Sequence, residues 1–211
     1  MRIASLFLGA VVAGVCFIVV PEPLEGLRDL GETGDLSRLG PRSAHATTSV
    51  LLSLDELVLG SERVAVVRAL ERRSAWEVVA GSKRIVTYTR LAIDEHLDAR
   101  ASERELWVRT LGGRVGDLGQ HVAGEAQLEL GKRALVFVAR GEGAWVVAGM
   151  AQGHFPLVEL EGEKPRLAPS PDAGRLLQRR GPSLSAREQL VGKPLGDAVA
   201  TIQDRVRALR K

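Results

Sequence analysis

The region between Arg63 and Leu160 most constrains the fold, because apolar and β-branched segments alternate there with glycine-rich turns. Its clearest segment, Arg84 to His96, has the strict alternation that is typical of a half-buried strand. The sequence Gly141-Glu142-Gly143 predicts a tight hairpin between two of these segments. The predicted strands are residues 63–76, 84–96, 105–111, 132–140, 144–151 and 155–160.

A helix is predicted on each side of this region. Ser53 and Glu56 have the spacing of a capping box, which predicts a short helix that ends near Leu59. A C-terminal amphipathic helix, which packs on the strands or engages a partner, is predicted from apolar residues spaced by three or four: Leu195, Val199, Ile202, Val206 and Leu209. We therefore expect a mainly β fold, a small antiparallel (OB-like) β-barrel of five to six strands with a short N-terminal helix and a C-terminal amphipathic helix.

The N-terminus indicates export. Arg2 precedes the uncharged run from Ile3 to Val20, which is the pattern of a secretory signal peptide. The run also reaches the length of about 18 residues that a membrane span needs, so a cleaved signal peptide and a retained membrane anchor both fit. The remainder is predicted to be exported: periplasmic, membrane-tethered or secreted. Residues 3–20 would contact the membrane if they are not cleaved.

Composition divides the rest of the chain into segments. Residues 21–46 are rich in proline, glycine and charged residues, which predicts a flexible linker. Residues 47–160 form the predicted barrel domain, and Ala44-His45-Ala46 just before it is the best match to a cleavage site. Residues 161–184 are again rich in proline, glycine and arginine and predict an irregular linker before the C-terminal helix of residues 185–211.

Several kinds of chemistry are not expected from this sequence. Cys16, inside the apolar run, is the single cysteine, so the exported part has no disulfide, cysteine nucleophile or cysteine metal ligand. The four histidines lack zinc-ligand spacing, and no Gly-x-Ser-x-Gly motif occurs. We predict no catalytic residue, no metal and no cofactor.

Nucleic acid is not expected as a partner either. The net charge is only +3, and basic and acidic residues are interspersed. Trp76 and Tyr88 are the aromatic residues near the basic cluster, which is fewer than a single-strand binding groove usually offers. That cluster comprises Arg68, Arg72, Arg73, Lys83, Arg84 and Arg90.

The candidate partner-binding residues lie in a glycine-rich loop. Its spacing matches neither a Walker loop nor a dinucleotide fingerprint. It predicts a β-hairpin or bulge with positive φ, or a loop that lets a partner chain approach closely beside an edge strand that can accept an added strand. The candidate residues are Gly112, Gly113, Arg114, Gly116, Asp117 and Gly119.

Four short motifs resemble a group of uncharacterised exported bacterial proteins and, more remotely, the netrin-like or TIMP-like OB barrel. They are Leu54-x-Glu56-Leu57-Val58-x(2)-Ser61-x(2)-Val64-x-Val66-Val67, Arg84-Ile85-Val86-Thr87, Leu111-Gly112-Gly113-x(2)-Gly116 and Val122-x-Gly124-x(3)-Leu128-x-Leu130-Gly131-x-Arg133-x-Leu135-Val136-Phe137. The resemblance covers about residues 50 to 158 and implies a fold. TIMP inhibitors bind the protease zinc through an N-terminal cysteine, which this chain lacks, so the resemblance does not imply that mechanism.

Three hypotheses about function follow. The first is a non-catalytic binding module of the cell envelope or secretome, whose partner is an envelope or secreted protein such as a protease. The second, which rests on the resemblance, is a protease inhibitor or protease-associated factor. The third is a hydrolase with a dispersed site, which requires His121 and His154 to cluster with Asp117 or Glu125 in the folded chain.

Overall fold

The computed structural model describes residues 49–98, 102–159, 161–174, 176–178 and 183–210, all within one compact unit, Ala44–Lys211. The predicted signal peptide or anchor (residues 1–20), the predicted linker (residues 21–46) and Thr47, Thr48 and Leu160 of the predicted barrel domain lie outside the described residues. No helix of the described part is both long enough and apolar enough to cross a membrane.

The prediction of a mainly β fold is confirmed. The helices are α1 (Leu54–Leu59), α2 (Ala186–Leu190) and α3 (Leu195–Leu209), with a 3-10 turn at Met150–Gly153. The strands are β1 (Ser49–Val50), β2 (Arg63–Val79), β3 (Ser82–His96), β4 (Glu105–Leu111), β5 (Gly113–Val115), β6 (Leu118–Gln120), β7 (Arg133–Arg140), β8 (Trp145–Val147), β9 (His154–Val158), β10 (Arg166–Leu167) and β11 (Leu176–Leu177).

Seven strands form one sheet in the order β10-β9-β7-β2-β3-β4-β8. Neighbouring strands are antiparallel except β4 and β8, which are parallel. Strand β8 also pairs with β7, so the pairings lead from β7 through β2, β3, β4 and β8 back to β7. Strands β5 and β6 form a separate hairpin, and β1 pairs with β11 in a parallel bridge.

Strands β2 and β7 bury apolar side chains on both faces. On one face, Val64 and Val66 of β2 and Leu135 and Phe137 of β7 pack with the three helices in a helix-side core. On the opposite face, the intervening residues pack with β3, β4 and β8 in a strand-side core: Ala65, Val67, Ala69, Ala134, Val136 and Val138. Because successive side chains of a strand point to opposite faces, a strand between two cores must be apolar throughout.

Helix α3 completes the helix-side core. Its Val199, Ile202 and Val206 are buried there, on the apolar stripe that the residue spacing predicts. Arg210 follows the helix and donates to the carbonyl oxygens of Val58 (2.7 Å) and Ser61 (2.6 Å) at the end of α1. These charge-assisted hydrogen bonds satisfy carbonyl groups near the C-terminus of α1 and hold the two helices together.

Three segments differ from the sequence predictions. The C-terminal helix predicted over residues 185–211 is two helices, α2 and α3, because the chain is extended at Val191 (φ −64°, ψ 136°) and at Pro194, which precedes α3. The strand predicted at 144–151 is only Trp145–Val147, because Gly149 (φ 66°) and Met150 (φ 57°) adopt left-handed conformations that end the strand. A side chain at Gly149 would also lie 2.5 Å from Cδ1 of Leu52. The range 161–184, predicted as an irregular linker, contains the short strands β10 and β11.

The turn between β2 and β3 has an unusual residue. Ala80 (φ 49°) and Gly81 (φ 75°) are both left-handed and link the paired residues Val79 and Ser82, as in a type I′ hairpin. Alanine is strained in this region, whereas asparagine tolerates it. We expect Ala80→Asn to raise the free energy of unfolding by about 1 kcal/mol in urea denaturation. Gly81→Ala should lower it by a similar amount, and a destabilised Ala80→Asn variant would contradict the assigned turn.

Candidate partner-binding surface

The glycine-rich loop forms the β5–β6 hairpin, which packs on the extended end of β2 and β3. Gly112 (φ 91°) and Gly113 (φ 130°) enter it in conformations that favour glycine. A Cβ at Gly113 would lie 2.2 Å from Oγ1 of Thr87 and 2.6 Å from Oγ of Ser74. Gly113 therefore serves the close packing of the hairpin on its own sheet.

The tip of the hairpin carries the candidate residues that remain accessible. Gly116 (φ 59°) begins the turn between Val115 and Leu118, where a type II′ hairpin requires glycine. Arg114 and Asp117 are exposed and lie 3.9 Å apart, and Arg114 also donates to the carbonyl oxygen of Gly116 (3.0 Å). Gly119 is exposed, and a Cβ there would meet nothing closer than 3.9 Å.

Beside this hairpin lies an unpaired stretch of β2, which we call the free edge (residues 71–79). Strand β2 has 17 residues, but its second partner β7 has 8 and pairs only with residues 63–68. Next along β2, Ala69 forms an isolated bridge with Leu130. Beyond it, β3 is the one strand of the described chain that pairs with β2. An edge of this kind is a template for an added strand.

The backbone groups of the free edge that point outward can be assigned. Ile85 of β3 donates its N–H to the Gln120 side chain (2.7 Å), and its carbonyl accepts from the N–H of Gly112 (2.7 Å). The N–H and C=O groups of Ile85 therefore point away from β2. Because Trp76 of β2 is the residue directly opposite Ile85, Trp76 makes no backbone hydrogen bonds to β3. By alternation, Ser74, Trp76 and Val78 direct their N–H and C=O groups to the free edge.

Exposed apolar side chains accompany these backbone groups. Val78 is 72% exposed and Trp76 41% exposed, and both share a face of β2 with Ser74. Leu118 on the neighbouring hairpin is 62% exposed. The sequence analysis identified the hairpin but missed the free edge, although the unequal lengths of the predicted first and fourth strands were a signal for it.

The side chains near the free edge leave an excess of positive charge. Glu71 is 3.1 Å from Arg90, which also binds Glu105, and Glu77 is 3.4 Å from Arg109. The remaining cations in this region are Arg72, Arg73, Lys83 and Arg84, and none of them forms an ion pair with a described residue. Arg73 lies 4.5 Å from the ring of Trp107, and Lys83 lies 5.4 Å from that of Trp76.

The residues named in the hydrolase hypothesis do not assemble. His154 and Glu125 are buried, whereas His121 and Asp117 are exposed. Among the described residues, no group of three or more His, Cys, Asp and Glu side chains is arranged to hold a metal ion.

Burial alters the protonation of two of these groups. It raises the pKa of Glu125 to about 7, partly offset by backbone N–H groups of Leu111 and Ala126 and by the charge of Arg109. Burial also lowers the pKa of His154 to about 4, so this imidazole is neutral at pH 7.

Comparisons with known proteins give no relative from which a role could be taken. No protein-family model matches the chain, and neither a curated protein nor a solved structure shows significant similarity to it.

Proposed function

We propose that the chain is an exported, non-catalytic binding module of the cell envelope or secretome that holds an extended segment of a partner protein. The segment would add to the sheet as a strand along the free edge, with the tip of the β5–β6 hairpin beside it. The observation that carries this proposal is the run of outward N–H and C=O groups at Ser74, Trp76 and Val78 that lack a strand partner within the described residues. Strand addition supplies affinity through such groups and specificity through alternate side chains.

Charge indicates what kind of segment would bind. Arg72 and Arg73 lie within the free edge, and Lys83 and Arg84 lie opposite it on β3; none of them has an ion-pair partner among the described residues. An acidic segment would complement them, whereas a second copy of the same edge would place like charges opposite one another. Exposed Val78 and Trp76 would contact apolar residues of the segment on one face. We therefore propose an acidic segment that alternates with apolar residues.

We further propose that the sheet is an OB-type barrel. The cyclic order β2-β3-β4-β8-β7, with a parallel β4–β8 pair, supports this assignment. The resemblance to netrin-like domains implies the same type of barrel. A secreted or envelope protease is the partner class that this resemblance implies, and inhibition of a protease is the alternative function.

Proline substitution tests strand addition because the outward N–H groups do not serve the β2–β3 ladder. Val78→Pro should keep the fold, since proline is tolerated on an edge strand where its nitrogen faces solvent. A fluorescein-labelled peptide in which valine alternates with aspartate is the probe. In fluorescence anisotropy, we expect Val78→Pro in the full chain to weaken its binding about tenfold, because an inter-strand hydrogen bond is lost and the ring obstructs the added strand.

Two controls make the test specific. Val78→Ala removes the apolar side chain but keeps the N–H group, and it should weaken binding by about threefold or less. A peptide with lysine in place of aspartate should bind the unmodified chain far more weakly at low salt. Equal binding by Val78→Pro and the unmodified chain, or equal binding of the two peptides, would refute the proposed mode.

A further inference from the structure

A second surface feature, independent of the free edge, is a cavity of about 300 Å³ where the strand-side core reaches the surface. It lies between β2, β7, β9 and the segment of residues 127–129. Its volume is at the lower end of the range found for small-molecule sites, and mouths of β-structures are common places for such sites.

The inner wall of this cavity is apolar and the rim is charged. Buried apolar walls come from β2, β3, β7 and the segment of residues 127–129: Val67, Ala69, Leu91, Ala134 and Leu128. At the rim, Arg133 donates to Asp94 (2.9 Å) and to Glu159 (3.2 Å), which ties β7 to β3 and to the residue after β9. Arg133 and Glu159 are paired with each other, and the other two charged lining residues, Glu129 and Lys132, are exposed at the rim. The buried interior is apolar and therefore favours an uncharged molecule.

One buried polar group faces this apolar space. His154 is 4% exposed and lines the cavity. Its Nδ1 lies 3.1 Å from Oγ of Ser170, whereas its Nε2 has no hydrogen bond to a described residue. This nitrogen is therefore available to a hydrogen-bonding group of a molecule placed in the cavity. A neutral imidazole can donate or accept at Nε2, according to which tautomer Ser170 selects.

We propose that this cavity binds a small, uncharged, largely apolar molecule that carries one hydroxyl or carbonyl group, which hydrogen-bonds to Nε2 of His154. The apolar walls supply most of the affinity. The imidazole fixes the orientation of the molecule and selects it over a hydrocarbon of the same shape.

Phenol and toluene are matched probes for this site, because they differ in one hydrogen-bonding group. In NMR titrations of the full chain, phenol should shift the amide signals of Leu91, Leu128, Ala134 and His154, and should leave the free edge unaffected. We expect phenol to bind about three- to tenfold more tightly than toluene, which is the worth of one hydrogen bond. Shifts confined to other regions, or equal affinities for the two probes, would overturn the proposal.

Two variants separate the roles of the imidazole and the walls. His154→Leu should abolish the preference for phenol over toluene, since leucine is similar in size but has no hydrogen-bonding nitrogen. Ala134→Leu fills the cavity without changing His154, so it should abolish binding of both probes even if the first variant folds poorly. Retention of the phenol preference in His154→Leu, or of phenol binding in Ala134→Leu, would exclude this site.

Discussion

Replacement of Phe137 by alanine is expected to lower the free energy of unfolding by about 3–5 kcal/mol. Phe137 is fully buried at the centre of the helix-side core, and its ring makes an edge contact with Phe155 at a centroid distance of 6.2 Å. Alanine would leave a cavity between β7 and the helices, which the well-packed surroundings cannot fill. Urea denaturation monitored by circular dichroism measures the loss.

Two controls distinguish loss of core packing from a general effect of mutation. Phe137→Leu keeps most of the buried volume and should be much less damaging than Phe137→Ala. Val158→Ala removes a side chain that is 45% exposed, and it should change the stability by about 0.5 kcal/mol or less. If Phe137→Ala unfolds at the same urea concentration as the unmodified protein, the position of β7 between two cores is wrong.

The second large effect on the free energy of unfolding is expected from Glu125, and it depends on pH. Because burial raises its pKa from 4.5 to about 7, the folded state binds a proton that the unfolded state has released between these values. The contribution of Glu125 to the free energy of unfolding is therefore fully present below pH 4.5 and is lost as the pH rises through 7. The loss is about 3 kcal/mol, at 1.36 kcal/mol for each pKa unit. The stability advantage of Glu125→Gln over the unmodified protein should grow by that amount from pH 4 to pH 9.

His154 provides a counterpart with the opposite sign. Burial lowers its pKa from 6.5 to about 4, so the unfolded state binds the extra proton between these values. Its contribution is present above pH 6.5 and is lost as the pH falls through 4. Between pH 4.5 and 6.5 the two contributions cancel. In this window Glu125→Gln should gain stability with rising pH, and His154→Leu should lose it; parallel profiles for both variants would contradict the burial of these groups.

The strands were predictable where apolar and polar residues alternate along the chain and a glycine follows the last residue of the strand. Strand β4 (Glu105–Leu111) has the predicted bounds, because Gly112 adopts a positive φ directly after it. Strand β8 was predicted too long, since the apolar run at residues 144–151 has the composition of a strand but bends at Gly149. Periodicity alone does not separate a buried strand from a short apolar turn.

The candidate surface was only partly predictable, for a physical reason. The hairpin of Gly112 to Gly119 is a local feature, so its turn residues are visible in the sequence. The free edge depends on the register between β2 and β7, which leaves residues 71–79 beyond the end of the shorter strand. Register is set by tertiary packing of both faces of β7, and single-sequence patterns do not contain it.

The burial of both faces of β2 and β7 also has a consequence for the order in which the protein can fold. The helix-side core needs α1, which precedes both strands, and α3, which follows them by a long stretch of chain. A nascent chain that lacks residues 195–209 would leave one apolar face of these strands in contact with water. Because domains generally fold as units, we expect the helix-side core to stay incomplete until α3 is available. Such a delay would favour the export that the run from Ile3 to Val20 predicts.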